Sequence, residues 1–168
     1  EDEFSNSLPT NFTVVRLKRD ILERSTVGLL YTRRDETPQS GAPTGQSWGV
    51  DGLFSLSPAI NIDGYYARTE KFGEDGDNVS YHTRFDYAED RYGLQMEHLK
   101  VGKGFKPEVG FLRRTDFIRD FAQARFSPRP AEGQMTAVRR FIFQGSVEYI
   151  QNNHEHLDFR EQSGQFGI

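Results

Sequence analysis

YHTRFDYAEDRYGLQMEH, residues Tyr81 to His98, is the stretch of sequence that decides the fold. Its odd positions up to Tyr87, together with Val79, form a largely apolar face, and the even positions between them form a polar face. After a polar break at residues 88–91 the alternation resumes, with the apolar side chains now at even positions. A period of two on both sides of a short polar break predicts two antiparallel strands joined by a tight turn.

The position of the turn predicts which residues of this hairpin lie opposite each other. A slip of one residue would exchange the apolar and polar faces, so the alternation restricts the register. A turn at Glu89 and Asp90 gives five opposed pairs: Tyr87 with Tyr92, Phe85 with Leu94, Thr83 with Met96, His82 with Glu97, and Arg84 with Gln95.

A second hairpin repeats this design around the turn Ser57-Pro58-Ala59. Residues 47–56 and 60–69 alternate between apolar and polar side chains, which predicts a strand on each side of the turn. The predicted opposed pairs are Leu56 with Ile60, Phe54 with Ile62, Val50 with Tyr66, Ser55 with Asn61, and Asp51 with Tyr65.

The remaining sequence extends the pattern to an all-β, antiparallel up-and-down meander of about eight to nine strands. Residues 1–10 form a polar lead-in, and residues 11–168 form one β-barrel segment. The strand at 116–126 is left without an orientation, because Phe117 and Phe121 favour one parity and Ala122, Ala124 and Phe126 the other. Strands are predicted at residues 11–19, 25–33, 47–56, 60–69, 79–87, 92–98, 116–126, 138–150 and 155–164.

The connections between the predicted strands alternate in length. The short turns are 57–59 and 88–91, and the long polar loops are 34–46, 71–77 and 101–115. Short turns at one end of a meander and longer loops at the other are typical of membrane β-barrels. Residues 127–135 are the exception, because the pattern requires a short turn there.

Composition excludes several classes of function. The net charge is −4 and the basic residues are scattered among acidic ones, so we expect no nucleic-acid partner. The chain has no cysteine, which excludes disulfides and thiol catalysis, and no apolar run of about 18 residues, which excludes a transmembrane helix. Residues 1–10 lack the pattern of a signal peptide, so we expect any export signal to precede them.

Three features favour lipid, rather than a protein core, as the neighbour of the apolar face. Strands of about nine to eleven residues suit a tilted bilayer crossing, aromatic residues recur near strand ends, and groups on the polar face could pair across a wet lumen. We predict part or all of an outer-membrane-type barrel, with these lipid-facing residues: Trp48, Val50, Phe54, Leu56, Ile60, Ile62, Tyr66, Tyr81, Phe85, Tyr87, Tyr92, Leu94, Met96, Phe141, Phe143, Val147 and Tyr149. The residues predicted to line the polar lumen are Asp51, Asn61, Asp63, Ser80, His82, Arg84, Asp86, Gln95, Glu97, Arg140, Gln144 and Glu148.

No motif predicts catalysis, a metal site or a cofactor. His154 and His156 supply only two possible metal ligands beside a polar turn, which favours a solvated turn. Asp75, Asp77 and Asn78 are similar to the start of a calcium loop, but Val79 stands at its fifth position, where a ligand is needed. His82 and Glu97 could form an acid–base pair with Ser80 as the neighbouring nucleophile, but packing in the lumen is the favoured interpretation.

Residues 105–117, FKPEVGFLRRTDF, resemble the hallmark of a family of outer-membrane β-barrel domains of unknown function from Gram-negative bacteria. The segments NFTVVRLKRDIL, SWGVDGLFSL, DRYGLQMEHL and RFSPRP lie around it in the family's order, so the resemblance covers residues 11–168. It implies a larger barrel, with its remaining strands outside this chain, behind a periplasmic domain similar to carbohydrate-binding modules of family nine. It brings no catalytic residues.

The leading hypothesis is therefore a non-catalytic barrel segment in the bacterial outer membrane, acting in a pore, in transport or as a surface anchor. Its expected partners are the lipid bilayer and small solutes or glycans. The alternative is a soluble β-barrel or sandwich that binds a small ligand or glycan through aromatic residues in its long loops. A third hypothesis, a membrane hydrolase that uses His82, predicts that His82→Ala abolishes an activity.

Overall fold

The structure, a computed structural model, describes residues 10–36, 45–71, 76–107, 112–130, 138–152 and 157–167. They form β1 (Thr10–Ile21), β2 (Ser25–Glu36), β3 (Gly45–Ser57), β4 (Ile60–Lys71), β5 (Val79–Ala88), β6 (Tyr92–Val101), β7 (Phe117–Phe126), β8 (Ile142–Gln151) and β9 (Leu157–Gly167). All neighbours pair antiparallel in chain order within one sheet, and β1 and β9 are its two edges. The predicted all-β, up-and-down meander is thus confirmed, and the sheet is not closed. None of the described residues belongs to a helix with the length and apolar character needed to span a membrane.

The hairpin of β3 and β4 has the predicted register over most of its length. Four of the predicted pairs are confirmed, Phe54 with Ile62, Val50 with Tyr66, Ser55 with Asn61, and Asp51 with Tyr65. The predicted pair of Leu56 and Ile60 is wrong, because a β-bulge between Ser55 and Ser57 leaves Leu56 outside the ladder and pairs Ser57 with Ile60.

The hairpin of β5 and β6 has the predicted faces but a different register. Phe85 lies opposite Met96 and Arg84 lies opposite Glu97, so every predicted pair is wrong by two residues. The turn encloses three residues, 89–91, and the amide of Glu89 donates to the carbonyl of Tyr92. A shift of two residues keeps each side chain on its face, which is why the predicted faces remain correct.

Register also settles the orientation of β7. Ala122, Ala124 and Phe126 lie opposite Met96, Leu94 and Tyr92 and therefore share their apolar face. Phe117 and Phe121 lie on the other face, among Arg119, Gln123 and Arg125. We call the face of Met96 and Leu94 the apolar face, and the face of His82 and Glu97 the polar face.

The connections keep the predicted alternation in length up to β7. The short ones are 22–24, 58–59 and 89–91, and the long ones are 37–44, 72–78 and 102–116. Several strands are longer than predicted, so the loop predicted at 34–46 is shorter at both ends. The connection 127–141 is long where the meander would place a short turn, as the sequence already indicated.

The two faces have exposures that are the reverse of those in a sheet packed on a protein core. Met96 and Leu17 on the apolar face are 52% and 62% exposed, whereas the side chains of Glu97 and His82 on the polar face are only 16% and 19% exposed. Among the described residues, only Val101 and Phe105 are buried apolar residues. Side chains crowd together on the concave side of a curled sheet and spread apart on its convex side. The exposures therefore indicate that the polar face is concave and the apolar face convex.

Two paired glycines on the apolar face offer a test of this close strand packing. Gly64 lies opposite Gly52, and a Cβ at Gly64 would come within 2.4 Å of the carbonyl oxygen of His82. We expect Gly64→Ala to lower the free energy of unfolding by about 1–3 kcal/mol, because the backbone of β5 must move. Urea unfolding followed by Trp48 fluorescence measures this change.

Gly164 provides the matched control. It also lies opposite a glycine, Gly145, but a Cβ at Gly164 would have no atom within 4 Å. Gly164→Ala should change the free energy of unfolding by less than about 0.5 kcal/mol. Equal losses in the two variants would contradict the strand packing described here.

Candidate functional site

The candidate site is the concave polar face. The lumen-facing residues predicted in strands all have register positions on this face: Asp51, Asn61, Asp63, Ser80, His82, Arg84, Asp86, Gln95, Glu97, Gln144 and Glu148. Arg140 does not, because β8 begins only at Ile142 and Arg140 is exposed in the preceding connection. The residues predicted to face lipid have register positions on the apolar face, except Leu56, in the bulge, and Phe141, which precedes β8.

A chain of charged groups crosses the middle of the polar face from β5 to β8. Arg119 donates through Nη1 to Glu97 Oε1 at 2.6 Å and through Nε to the carboxylate of Glu148. Glu97 Oε1 also lies 3.3 Å from His82 Nε2. The side chains of Arg119 and Glu148 are 28% and 21% exposed. One arginine therefore pairs with two half-buried carboxylates from its two neighbouring strands.

A second ion pair bridges strands that are not neighbours. Arg16 in β1 forms an ion pair with Asp51 in β3, across the intervening β2. The pair passes directly over Gly28, where a Cβ would lie 2.6 Å from the Arg16 guanidinium and 2.8 Å from the Asp51 carboxylate. A larger residue at position 28 would therefore displace the ends of the Arg16 and Asp51 side chains from their present positions.

Uncharged hydrogen bonds complete the polar face. Gln144 Nε2 donates to Gln123 Oε1 at 3.1 Å, and the hydroxyls of Ser146 and Ser163 lie 2.7 Å apart. Ser55 and Asn61 are also hydrogen-bonded across their strand pair. Cross-strand polar pairs of this kind stabilise a sheet face that cannot be covered by apolar side chains.

The start of the connection between β6 and β7 folds inward over this face at the long-loop end. Gly102 donates its amide to the carbonyl of Val79 in β5, and Lys106 donates its amide to the hydroxyl of Thr69 in β4. Thr69 lies on the polar face and is 5% exposed, and Phe105 is 7% exposed. Residues 102–107 therefore cross from β6 over β5 to β4 and narrow the mouth of the concave face.

The groups considered for chemistry are engaged elsewhere or lie outside the described residues. The Ser80 hydroxyl is buried, where it donates to the carbonyl of Lys100 at 3.1 Å and contacts the Tyr65 hydroxyl. The Asp77 carboxylate pairs with Lys100 Nζ at 2.9 Å. His154, His156 and Asp75 lie outside the described residues. Within the described ranges there is no group of three or more residues placed to hold a metal ion.

The sequence did not predict the central role of Arg119. Its strand had no assigned orientation, so the faces of Arg119 and its neighbours were open. The only signal was the parity that Arg119 shares with Gln123 and Arg125, which would have sufficed had Phe117 and Phe121 not shared it too. Arg16 was also missed, because its partner lies two strands away.

Several polar pairs lie on the apolar face, and one of them joins β6 to β7. His98 Nδ1 is 2.6 Å from Asp120 Oδ1, and the His98 ring stacks on Tyr81 with 5.5 Å between centroids. Both side chains are well exposed. This pair marks one end of the apolar surface on β6 and β7, because Met96 and Ala122 follow it towards the short-turn end.

Comparisons with protein-family models, with curated proteins and with solved structures find no match to this chain.

We expect Arg119→Gln to lower the free energy of unfolding by about 1–3 kcal/mol, since Glu97 and Glu148 would lose their shared charged donor. Arg16→Gln is the control, because Arg16 and Asp51 are 41% and 35% exposed and such a pair contributes at most about 1 kcal/mol. The free energies of unfolding of the two variants are compared by urea unfolding, without added salt and with about 1 M salt, which screens exposed ion pairs. Equal decreases in the free energy of unfolding in both variants would show that Arg119 stabilises the polar face no more than an exposed ion pair does.

The inward loop can be tested with a single methyl group. A Cβ at Gly102 would lie 2.2 Å from the carbonyl oxygen of Asp77, so Gly102→Ala should displace residues 102–107. We expect faster cleavage by trypsin after Lys103, an exposed residue of this loop, with the strands still folded. An unchanged cleavage rate, with Gly164→Ala as the reference variant, would argue against the inward fold.

Proposed function

We propose that this chain is a segment of an outer-membrane β-barrel that contributes to a pore, to transport or to surface anchoring and performs no chemistry. The observation that carries the proposal is the reversal of exposure between the two faces. The convex face holds most of the exposed large apolar side chains, and the concave face holds the half-buried charges of Glu97, Arg119 and Glu148. A soluble barrel would place its apolar side chains on the concave face, whereas a membrane barrel has an apolar outside and a polar inside.

The band of apolar residues also crosses the sheet at an angle to the hydrogen-bonded rows, as it does in a barrel with tilted strands. The hydrogen-bonded row that contains Leu17 in β1 crosses β6 at Lys100, five strands away. The apolar residues of β6 are instead centred on Leu94, which lies six residues before Lys100, towards the short-turn end. This drift is about one residue per strand, or roughly 4 Å for each strand spacing of about 4.8 Å. It corresponds to a tilt of about 40°, within the range of membrane barrels.

Aromatic residues lie at both borders of this sloping apolar surface. At the short-turn end, a row of rings continues from β6 to β9 through Tyr92, Phe126, Phe143 and Phe166, with neighbouring centroids 5.2 to 6.3 Å apart. At the long-loop end, Trp48 and Tyr66 lie 5.7 Å apart. Rings at two levels favour a bilayer, because aromatic residues prefer both of its interfaces.

The open edges agree with a segment of a larger barrel. No strand of the described residues pairs with the outer side of β1 or β9. Unpaired backbone groups of this kind are not tolerated in the hydrocarbon region of a bilayer. We therefore propose that further strands outside this chain complete the barrel, as the resemblance at residues 105–117 implies. The half-buried ion pairs would line the water-filled interior, which residues 102–107 would narrow at one end.

The proposal is tested with a single tryptophan moved between faces. In a Trp48→Phe background, Leu94→Trp places the only tryptophan on the apolar face, and Gln95→Trp places it on the polar face next in sequence. The variants are tested in the barrel completed by its further strands, with the tryptophans of those strands replaced and the barrel inserted into vesicles. Brominated lipids should quench the first variant strongly, while soluble acrylamide should quench the second. Tryptophan fluorescence reads both effects.

Equal quenching of both variants by acrylamide, without quenching by brominated lipids, would contradict the proposal. Together with a stable monomer that remains soluble without detergent, that result would favour the soluble ligand- or glycan-binding barrel.

A further inference from the structure

Three arginines surround an open pocket of about 470 Å³ in the connection between β7 and β8: Arg129, Arg139 and Arg140. This connection is the long one at the short-turn end of the sheet. Arg140 was predicted to line the lumen from a strand, but it lies in this connection. Arginine binds an anion such as a phosphate through two parallel hydrogen bonds, so a pocket among three arginines suits such an anion.

Backbone hydrogen bonds hold two of these arginines side by side. The amide of Phe141 donates to the carbonyl of Pro128 at 3.0 Å. Arg129 directly follows Pro128 and Arg140 directly precedes Phe141, so this hydrogen bond brings the backbones of the two arginines close together. The same connection is fixed to the turn between β5 and β6. There, Ser127 donates its amide to the carbonyl of Arg91 at 2.7 Å, and the Arg125 guanidinium donates to the carbonyl of Glu89 at 2.6 Å.

Among the described residues around the pocket, positive charges outnumber negative ones. Arg129 donates to Asp90 at 2.8 Å, with both side chains largely exposed. Arg139 and Arg140 have no carboxylate partner within the described part of the chain. Arg139 and Arg140 thus add two positive charges to the pocket, and a bound anion would offset them.

An apolar groove of about 800 Å³ lies on the apolar face at the short-turn end of β6 to β9, and Phe141 links it to the arginine pocket. The phenyl ring of Phe141, which follows Arg140, stacks on Phe166 with 6.4 Å between centroids, and Phe166 lines the groove. Small residues, Ala124, Gly145 and Gly164, also line this groove, alongside the row of rings described above. A phosphate-binding pocket beside an apolar groove has the two-part character of a phospholipid.

We propose that Arg129, Arg139 and Arg140 bind the phosphate group of an anionic phospholipid, with one acyl chain in the adjoining groove. The proposal rests on the membrane orientation proposed above. In that orientation the aromatic border of the apolar surface reaches the bilayer interface, where the lipid phosphates also lie. Anionic lipid suits the site better than zwitterionic lipid, because the pocket carries a net positive charge.

The test counts retained lipids by native mass spectrometry. The full chain, folded in neutral maltoside micelles, is mixed with equal amounts of phosphatidylglycerol and phosphatidylcholine. We expect preferential retention of phosphatidylglycerol, and a loss of that retention by about tenfold in the double variant Arg139→Gln with Arg140→Gln. The double variant Arg24→Gln with Arg91→Gln is the matched control, since it removes two positive charges from the same end of the sheet and should retain phosphatidylglycerol as the unaltered chain does.

Equal retention of the two lipids, or unchanged retention in the Arg139 and Arg140 variant, would overturn the inference. Displacement of the lipid by inorganic phosphate at a matching concentration would also overturn it, because the pocket would then hold an adventitious ion only. The proposed function fails separately. Its failure appears as a chain that does not enter vesicles, whatever lipid the pocket retains.

Discussion

The antiparallel hydrogen-bond ladder, continued in chain order from β1 to β9, is the constraint on which the other features depend. Paired residues in such a ladder share a face, so the register of eight hairpin pairings assigns every strand residue to one side. The assignment brings Arg119 between Glu97 and Glu148 and places Met96 beside Ala122. The separation into a charged face and an apolar face is thus a consequence of backbone pairing and of the two-residue period.

The sequence predicted faces well and registers less well, for a physical reason. Alternation identifies the face of each residue but does not change when a strand slips by two residues. The turn of β3 and β4 is fixed locally, because the Ser57 hydroxyl accepts from the amides of Ala59 and Ile60 at 3.2 and 3.1 Å. The turn after Ala88 has three polar residues and several possible closures, and the predicted register there was wrong by two.

The sequence could predict those contacts of the candidate site that lie within one hairpin, because the alternation of residues shows which side chains share a face. His82 and Glu97 were expected as an opposed pair; they are in contact at 3.3 Å, but diagonally, because Arg84 is the residue opposite Glu97. Contacts that span three strands, such as those of Arg119, need the orientation of every strand between them. In β7 that orientation was hidden, because Phe121 lies on the polar face and Asp120 on the apolar one.

Strand tilt explains why the polar pair of His98 and Asp120 lies on the apolar face. His98 and Asp120 share one hydrogen-bonded row with Gly64 and Thr83, and that row lies within the apolar surface at β4 and outside it at β6. If the strands stood upright in a bilayer, the row would have a single depth and the two charged side chains would face hydrocarbon. With strands tilted by about 40°, the row rises by about one residue per strand, so His98 and Asp120 lie beyond the apolar border. The proposed membrane orientation therefore accounts for polar residues that the pattern of alternation alone leaves unexplained.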